Sequence, residues 1–280
     1  MATGLLVVCI NAGTKLSQFL VHAEKEYAAR IRLGIETDTQ DITGRVLGTH
    51  EGPLPDRAAF EWAAGAFTGS TEQVPPMYSA LKKGGVPLYR LARQGRTVER
   101  QARRVFISEL EVLSWEPPEA SIRVVCSTGT YVRTLCHDIG AALGCGGALS
   151  SLERLRSGAF HLGNALPLAG LEEPDPGDVL SRHLIGLEEA LRDMPGIVVD
   201  SALALRLRNG ATLTAGEARV LAVPEGGCQM VKISQCGGGL VGIFEPVPNA
   251  GAGCESAPAW KSVRVFAEQA QVDRRTGINI

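Results

Sequence analysis

The stretch that most constrains this chain runs from Lys25 to Gly44, K-E-Y-A-A-R-I-R-L-G-I-E-T-D-T-Q-D-I-T-G, because it joins a strand pattern to a polar loop. Apolar Ala29, Ile31 and Leu33 alternate with polar positions, which predicts a strand with one buried face. Residues 37–41 then place five polar side chains in one short turn. Such loops often hold binding residues. A strand and turn with a purely structural role is the alternative.

Composition and cysteine usage narrow the class of protein. The chain has 280 residues, of which 45% are apolar, enough for one large domain or one large and one small. Seven scattered cysteines without a C-x-x-C pair argue against a disulfide framework and predict a reduced, cytoplasmic protein. The apolar run Leu5–Ile10 is too short for a signal peptide or a membrane span, and it predicts a buried strand or helix.

A strongly basic segment lies between Lys82 and Arg104. It holds eight lysines and arginines and one acid, Glu99, so its net charge is +7. Since the whole chain has a net charge of −2, the other residues sum to −9. Glycines and two nearby tyrosines, Tyr78 and Tyr89, accompany the charges. This combination favours contact with a nucleic-acid backbone. A solvated basic helix is the alternative.

Periodicity predicts most of the remaining elements. Helices are expected over 15–23, from Pro55 onward, over 88–94 and over 184–192, and residues 150–157 predict a short helix or a turn. Alternating apolar residues predict a hairpin of strands at 104–115 and 120–127. From residue 197 onward, short apolar pieces separated by glycine-rich turns predict a small β-rich domain, and residues 269–280 predict a loose tail.

A further helix follows residue 131, since Leu135, Ile139 and Leu143 share one helical face. Arg133 falls in its first turn, where the helix dipole disfavours a cation, so a carboxylate or phosphate partner is expected; a surface ion pair is the alternative. His137 and Asp138 are adjacent on the helix and point to different sides, which argues against a catalytic pair. No further His or Cys lies at ligand spacing, so we expect no metal.

Eight short motifs follow one another over almost the whole chain. Each is weak alone, but their order and spacing are specific. They are A-T-G-L-L (Ala2–Leu6), G-T-K (Gly13–Lys15), K-E-Y (Lys25–Tyr27), R-L-G-I-E-T-D-T-Q-D (Arg32–Asp41), V-P-P-M-Y-S-A-L-K (Val74–Lys82), L-A-R-Q-G (Leu91–Gly95), G-T-Y-V-R (Gly129–Arg133) and L-G-C-G-G (Leu143–Gly147). With these motifs the chain resembles the TruB family of tRNA pseudouridine synthases.

The resemblance implies an α+β fold: a mixed, mainly antiparallel sheet with flanking helices, plus a small C-terminal β-barrel-like domain of the PUA type. The catalytic domain would be residues 1–195, with a thumb insertion at about 75–104. The PUA-like RNA-binding domain would be residues 196–268, followed by the tail. The protein would be a monomer, with no metal, no cofactor and no membrane contact.

The resemblance also implies an isomerase that converts a uridine in the T-loop of tRNA, position 55, to pseudouridine on the T-arm stem-loop. The uridine would be flipped into a pocket. Tyr27 would stack on the base, and Arg133 would pair with a catalytic aspartate. The uridine pocket would also be formed by Asp41, Tyr131 and Leu152. Phosphate groups of the RNA would be contacted by Lys15, Lys82, Arg90 and Arg93.

One departure from the family pattern concerns the nucleophile. The family's aspartate lies in G-H-T-G-x-L-D-P-x-A-T-G, and this chain enters that motif at Ala2-Thr3-Gly4, three residues after the aspartate. Residues 1–280 alone are therefore expected to be inactive. Three explanations stay open: Met1 is an internal start of a full enzyme, the chain is a non-catalytic tRNA-binding or RNA-folding protein, or it is a decayed gene product. The intact pocket residues favour the first.

Overall fold

A computed structural model of the chain describes residues 2–172, 176–221, 230–247 and 258–267. The chain divides into two compact units, one of Met1–Val8 and Val21–Ala165 and the other of Cys9–Leu20 and Leu166–Ile280. The functional boundary expected at residue 195 stays a prediction. The tail expected at 269–280 lies outside the described residues. No helix in the described ranges is long and apolar enough to cross a membrane.

The first unit is built on one large sheet and two small hairpins. Its strands, in chain order, are β1 (Ala2–Gly4), β2 (Lys25–Leu33), β3 (Ile35–Thr37), β4 (Val46–Thr49), β5 (Gly69–Gln73), β6 (Lys82–Lys83), β7 (Val86–Pro87), β8 (Arg103–Glu116), β9 (Glu119–Cys126), β10 (Gly147–Ser157) and β11 (Phe160–His161). The large sheet has the order β1-β10-β2-β9-β8-β5, with β11 added to β10. Its neighbours are antiparallel except β1 and β10.

Helices cover one face of this sheet and close the core. These helices are α2 (Arg57–Gly65) and α4 (Val132–Ala142), while α3 (Leu88–Arg93) packs beside β7. Helix α1 (Ser17–Leu20) belongs to the second unit. Asp56 caps the start of α2, since its carboxylate accepts a hydrogen bond from the Ala59 amide at 2.8 Å. Ile31, Phe60 and Leu135 are fully buried between helices and sheet. The strand, hairpin and helices predicted here are confirmed, as is the α+β class.

The largest difference between the predicted and observed secondary structure is at strand β10. Residues 150–157 were expected to form a short helix or turn, but they form the second half of a strand between β1 and β2. The pairing of β10 with β2 shifts between Leu149 and Ser151 and again between Arg154 and Arg156. Each bulge adds a residue and breaks the two-residue alternation that identifies a strand in a sequence.

The apolar run Leu5–Ile10 was also predicted wrongly. Leu5 is buried and its amide donates to the Arg154 carbonyl oxygen at 2.8 Å, the last hydrogen bond that continues β1. Beyond it Leu6, Val8 and Ile10 are 72%, 70% and 53% exposed. The run therefore forms neither a buried strand nor a buried helix in the described structure.

The second unit contains a five-stranded, curled sheet in the order β12-β14-β15-β16-β13. Its elements, in chain order, are α5 (Pro176–His183), α6 (Leu187–Ala190), β12 (Gly196–Val199), α7 (Ser201–Arg208), β13 (Leu213–Thr214), α8 (Ala215–Val220), β14 (Val231–Gln235), β15 (Leu240–Pro246) and β16 (Pro258–Val265). The helix predicted over 184–192 is shorter in the structure, where α6 covers only Leu187–Ala190. The pieces around 203–207 and 220 are helical rather than strands, because Asp200 and Thr214 cap α7 and α8.

Candidate functional site

Tyr27 and Leu152 lie on the same face of the large sheet. In the antiparallel register Tyr27 is opposite Arg154, and Ala29 is opposite Leu152. Side chains two residues apart on a strand share a face, so all four point to the side that the helices cover. Tyr27 and Leu152 are half-buried and pack against the core. The structure thus places a tyrosine ring and a leucine in diagonal positions of two neighbouring strands, at one margin of the core.

The environment of Tyr27 keeps its hydroxyl protonated. Burial raises the pKa of the Tyr27 phenol, and the nearby Cys126 adds to this, while the Arg154 guanidinium beside the ring acts in the opposite direction. Burial also raises the pKa of the Cys126 thiol to about 11. At neutral pH the site therefore presents a neutral aromatic ring and an uncharged thiol, next to one fixed cation.

The polar loop 37–44 is held in place by its own side chains. The Thr37 hydroxyl donates to the Asp41 carbonyl oxygen at 2.8 Å and accepts from the Asp41 amide at 3.0 Å. One carboxylate oxygen of Asp41, Oδ1, accepts from the amide and the hydroxyl of Thr43 at 3.0 and 2.8 Å. Asp41 is thus a half-buried acceptor with a fixed orientation.

The same loop is attached to the strand and helix around it. Gln40, at a φ of 60°, accepts a hydrogen bond from the Thr134 hydroxyl at 2.8 Å, and its carbonyl oxygen accepts from the Leu149 amide at 3.0 Å. Asp41 forms a parallel bridge to Leu149 on β10. Asp41 lies close enough to α4 to add to the raised pKa of the buried Cys136 thiol, whose main cause is burial. The loop therefore joins β10 to the first turns of α4.

Arg133 lies in the first turn of α4 and is half-buried. Its Nη2 donates to the Tyr78 carbonyl oxygen at 3.0 Å. Within the described ranges it forms no ion pair. By contrast, Arg123 and Arg156 on the same sheet donate to the Glu26 carboxylate at 2.7 and 3.1 Å. Arg133 is thus a cation at the disfavoured end of a helix dipole, open to an added anion.

Gln73 holds the start of α4. It is 4% exposed, its Nε2 donates to the Tyr131 carbonyl oxygen at 3.1 Å, and its Oε1 accepts from the Tyr131 amide at 2.7 Å. Tyr131 is the residue before the helix, which no side chain of the helix itself caps. Gln73 therefore takes over the capping role from β5 and fixes the backbone that carries Tyr131 and Arg133.

Replacing Gln73 by leucine is expected to destabilise the first turn of α4 by about 2 kcal/mol, because the half-buried Tyr131 amide loses its partner and the Tyr131 carbonyl oxygen keeps only the helical hydrogen bond from the Leu135 amide. Amide hydrogen exchange should rise at residues 131–135. Gln94→Leu, a change at an exposed position of the thumb segment, serves as the matched control. Unchanged protection in the Gln73 variant would contradict the capping role.

The residues predicted to contact RNA are all exposed. Lys82 lies on β6, and Arg90 and Arg93 lie on the exposed side of α3, whose Leu88 and Leu91 are buried. The Arg93 guanidinium lies 5.6 Å from the centroid of the Tyr89 ring. Lys15 is also exposed but belongs to the second unit.

The structure brings the predicted pocket residues into one unit, on β2, β10, loop 37–44 and α4. Their roles stay predictions. Gln73 and Arg154 were not identified from the sequence. A polar residue two positions before Pro75-Pro76 is a weak signal for Gln73, and none is visible for Arg154 because the sequence pattern does not identify β10. Among the described residues, no group of three or more His, Cys, Asp or Glu side chains could hold a metal ion.

Two family models together match residues 1–192 of the chain. Residues 1–132 match the family model "TruB family pseudouridylate synthase (N terminal domain)", and residues 133–192 match "tRNA pseudouridylate synthase B C-terminal domain". A tRNA pseudouridine synthase B from Syntrophotalea carbinolica is 41% identical over 266 residues, 95% of this chain and 85% of the relative. Another from Chromohalobacter salexigens is 46% identical over 210 residues, 75% of this chain and 68% of the relative.

Two solved structures are similar in fold. The crystal structure of a Cbf5-Nop10-Gar1 complex matches with a TM-score of 0.70 at 24% identity, over 95% of this chain and 73% of that one. The structure of an H/ACA RNP bound to a substrate RNA containing 2'-deoxyuridine matches with a TM-score of 0.65 at 21% identity, over 92% and 70%. At these identities the likeness supports the fold.

Proposed function

The chain belongs to the TruB family of tRNA pseudouridine synthases, and we propose that its substrate is a uridine of the tRNA T-loop, at position 55. The observation that carries the proposal is Arg133, a half-buried cation in the first turn of α4, without a carboxylate partner in the described structure. It lies in the same unit as the Tyr27–Leu152 face and the Asp41 loop. An arginine awaiting an anion suits a catalytic carboxylate.

The side chains fit the handling of a flipped uridine. The Tyr27 ring offers a stacking face with Leu152 beside it, and Asp41 offers a fixed acceptor for an N–H group of the base. A proton taken from C5 of the base needs the Tyr27 phenolate. Burial opposes that form and the Arg154 guanidinium favours it. Tyr131, at the start of α4, would complete the pocket wall.

The register of β1 supports a position for the nucleophile. Ala2 of β1 lies opposite Leu152 of β10, and the two strands are parallel. In the same register, a residue three positions before Ala2 would lie opposite Leu149. Asp41 already occupies that edge of β10. A polypeptide that enters β1 from that side would therefore pass Asp41, and a carboxylate three residues before Ala2 would lie near the first turns of α4. We propose that this carboxylate pairs with Arg133 and attacks the sugar or assists its elimination.

Two related expectations belong to the same proposal. The reaction would need neither a metal nor a cofactor, because the rearrangement moves one glycosidic bond without net oxidation. The protein would act as a cytoplasmic monomer on the T-arm stem-loop, as the reduced cysteines and the family suggest. A non-catalytic tRNA-binding or RNA-folding protein is the second candidate, which the exposed cations Lys82, Arg90 and Arg93 would equally suit.

The decisive experiment measures tritium release from a T-arm stem-loop that carries 5-tritiated uridine. Residues 1–280 alone are expected to release none. The same chain, joined at Ala2 to a family segment ending in G-H-T-G-x-L-D-P-x, should release tritium, and an Asp→Asn change in the added segment should abolish it. Release by residues 1–280 alone would contradict the assigned nucleophile. Tight tRNA binding without release by the extended chain would support the non-catalytic candidate.

A further inference from the structure

A cleft of about 270 Å³ in the second unit is lined by Thr14, Lys15, Ser17, Gln18 and Arg264. Four of these residues lie at the start of α1 or just before it, and Arg264 comes from β16. The Thr14 and Ser17 hydroxyls donate to backbone carbonyl oxygens, at 2.7 and 2.9 Å. The donors left for a ligand are therefore the Lys15 ammonium, the Gln18 amide and the Arg264 guanidinium.

The two cations of this cleft lack carboxylate partners within the described ranges. On the same strand, Lys261 pairs with Glu245 at 3.2 Å, which shows that β16 can neutralise its other exposed cation. Residues 9–20 and 166–280 together hold 11 lysines and arginines against 14 aspartates and glutamates. The cleft is thus a local concentration of positive charge in a net negative unit, and an anion between the cations would relieve their repulsion.

Both cations are presented by ordered parts of the fold. The Lys15 ammonium lies 5.8 Å from the centroid of the Phe266 ring, which is 2% exposed. Leu16, next to Lys15, is buried in the same apolar cluster as Phe266. At Gly242 a Cβ would lie 2.5 Å from the Arg264 carbonyl oxygen, so glycine permits the close approach of β15 that holds the Arg264 backbone. The backbone at both cations is therefore fixed, and a ligand would have to order only the side chains.

We propose that this cleft binds a backbone phosphate of the RNA, with Arg264 and Lys15 as its cations and the Gln18 amide as a third donor. The inference rests on the proposed function and adds a phosphate site in the second unit. A phosphodiester suits the site because its two charged oxygens can accept from a guanidinium fork and an ammonium together. Free inorganic phosphate has the same chemistry, and the test below separates the two.

The test compares the full chain with a Lys15→Ala/Arg264→Ala double variant by measuring tRNA dissociation constants over a series of salt concentrations. The double variant should bind tRNA about tenfold more weakly at low salt, and the slope of log affinity against log salt should fall by about one, as for one lost phosphate contact. Lys261→Ala removes an ion-paired charge from the same strand, so it should weaken binding far less and leave the slope nearly unchanged. Arg264→Lys in place of Arg264→Ala should restore part of the affinity.

Three other outcomes would contradict the phosphate site, the proposed function or both. Wild-type tRNA binding with unchanged affinity and slope in the double variant would overturn the phosphate site and leave the proposed function standing. Failure of the wild-type chain to bind tRNA would overturn both. If calorimetry with inorganic phosphate shows binding that the double variant loses while tRNA binding is unaffected, the cleft is a small-anion site and its assignment to RNA is wrong. Matching circular dichroism spectra will show that the exposed substitutions leave the fold intact.

Discussion

Replacing Gly140 by alanine is expected to destabilise the first unit by about 3 kcal/mol, even though alanine is the better helix former. Gly140 lies in α4, where it faces the start of β10. A Cβ at this position would lie 2.2 Å from the Gly147 nitrogen, 2.3 Å from the Gly146 carbonyl carbon and 2.5 Å from the Gly147 Cα. These are backbone atoms that cannot rotate away, so helix and strand would have to separate.

Gly65→Ala is the matched control for this substitution. Gly65 is the exposed last residue of α2, and a Cβ there would meet no atom within 4 Å. Without a clash, helix propensity should dominate and the change should be neutral or stabilising by up to about 1 kcal/mol. Urea unfolding, with hydrogen exchange on β2 and β10 to isolate the first unit, measures both. Equal stability of the Gly140 variant and the wild type would show that helix and strand do not pack this closely.

The best-predicted elements are those whose patterns continue without interruption. In β2, Ala29, Ile31 and Leu33 keep one parity, and all three are buried against the helices. In α4, Leu135 and Ile139 lie one turn apart and are both fully buried. In each case one face of the element meets the core along its whole length, so burial repeats with the period of the backbone.

Elements with local irregularities were missed. The two bulges of β10 shift its parity, so Leu152 and the apolar start of the strand did not look like one element. In α7 the alternation A-L-A-L resembles a strand, but Asp200 accepts from the Leu203 amide at 2.8 Å and starts a helix. That signal, an aspartate before the apolar run, was visible in the sequence.

Only part of the candidate site can be predicted from the sequence, and the roles of its residues stay predictions. The position of Arg133 in the first turn of a helix predicts that it needs an anion, and within the described ranges its guanidinium donates only to the Tyr78 carbonyl oxygen. The contacts that orient the site were not predictable, because they join residues far apart in the chain. Gln73 and Tyr131 are 58 residues apart, and Gln40 and Thr134 are 94 apart. No local pattern encodes such pairs.

A Lys82→Ala/Arg90→Ala/Arg93→Ala variant is expected to bind tRNA about fiftyfold more weakly at low salt, with a salt slope smaller by about three. The three side chains are exposed, and α3 anchors itself through Leu88 and Leu91 on its opposite side. The substitutions should therefore leave the fold unchanged. Each lost cation removes one phosphate contact, so the affinity and its salt dependence should fall together.

A second triple variant separates direct contact from net charge. Arg57, Arg206 and Lys261 are exposed and already paired with Glu61, Glu217 and Glu245. Changing all three to alanine removes the same formal charge, but it also frees three carboxylates that repel RNA at long range. If the thumb binds by contact, its variant should lose far more affinity and slope than this control.

Equal losses in the two triple variants would mean that tRNA senses only the overall charge of the protein, and the thumb assignment would be wrong. A loss confined to the thumb variant would assign the contacts to residues 75–104. The same titration then bears on the pocket, because the Tyr78 carbonyl oxygen belongs to this segment and holds Arg133 at 3.0 Å. RNA that displaces the segment would free Arg133 for a carboxylate, so thumb binding and the readiness of Arg133 should be coupled.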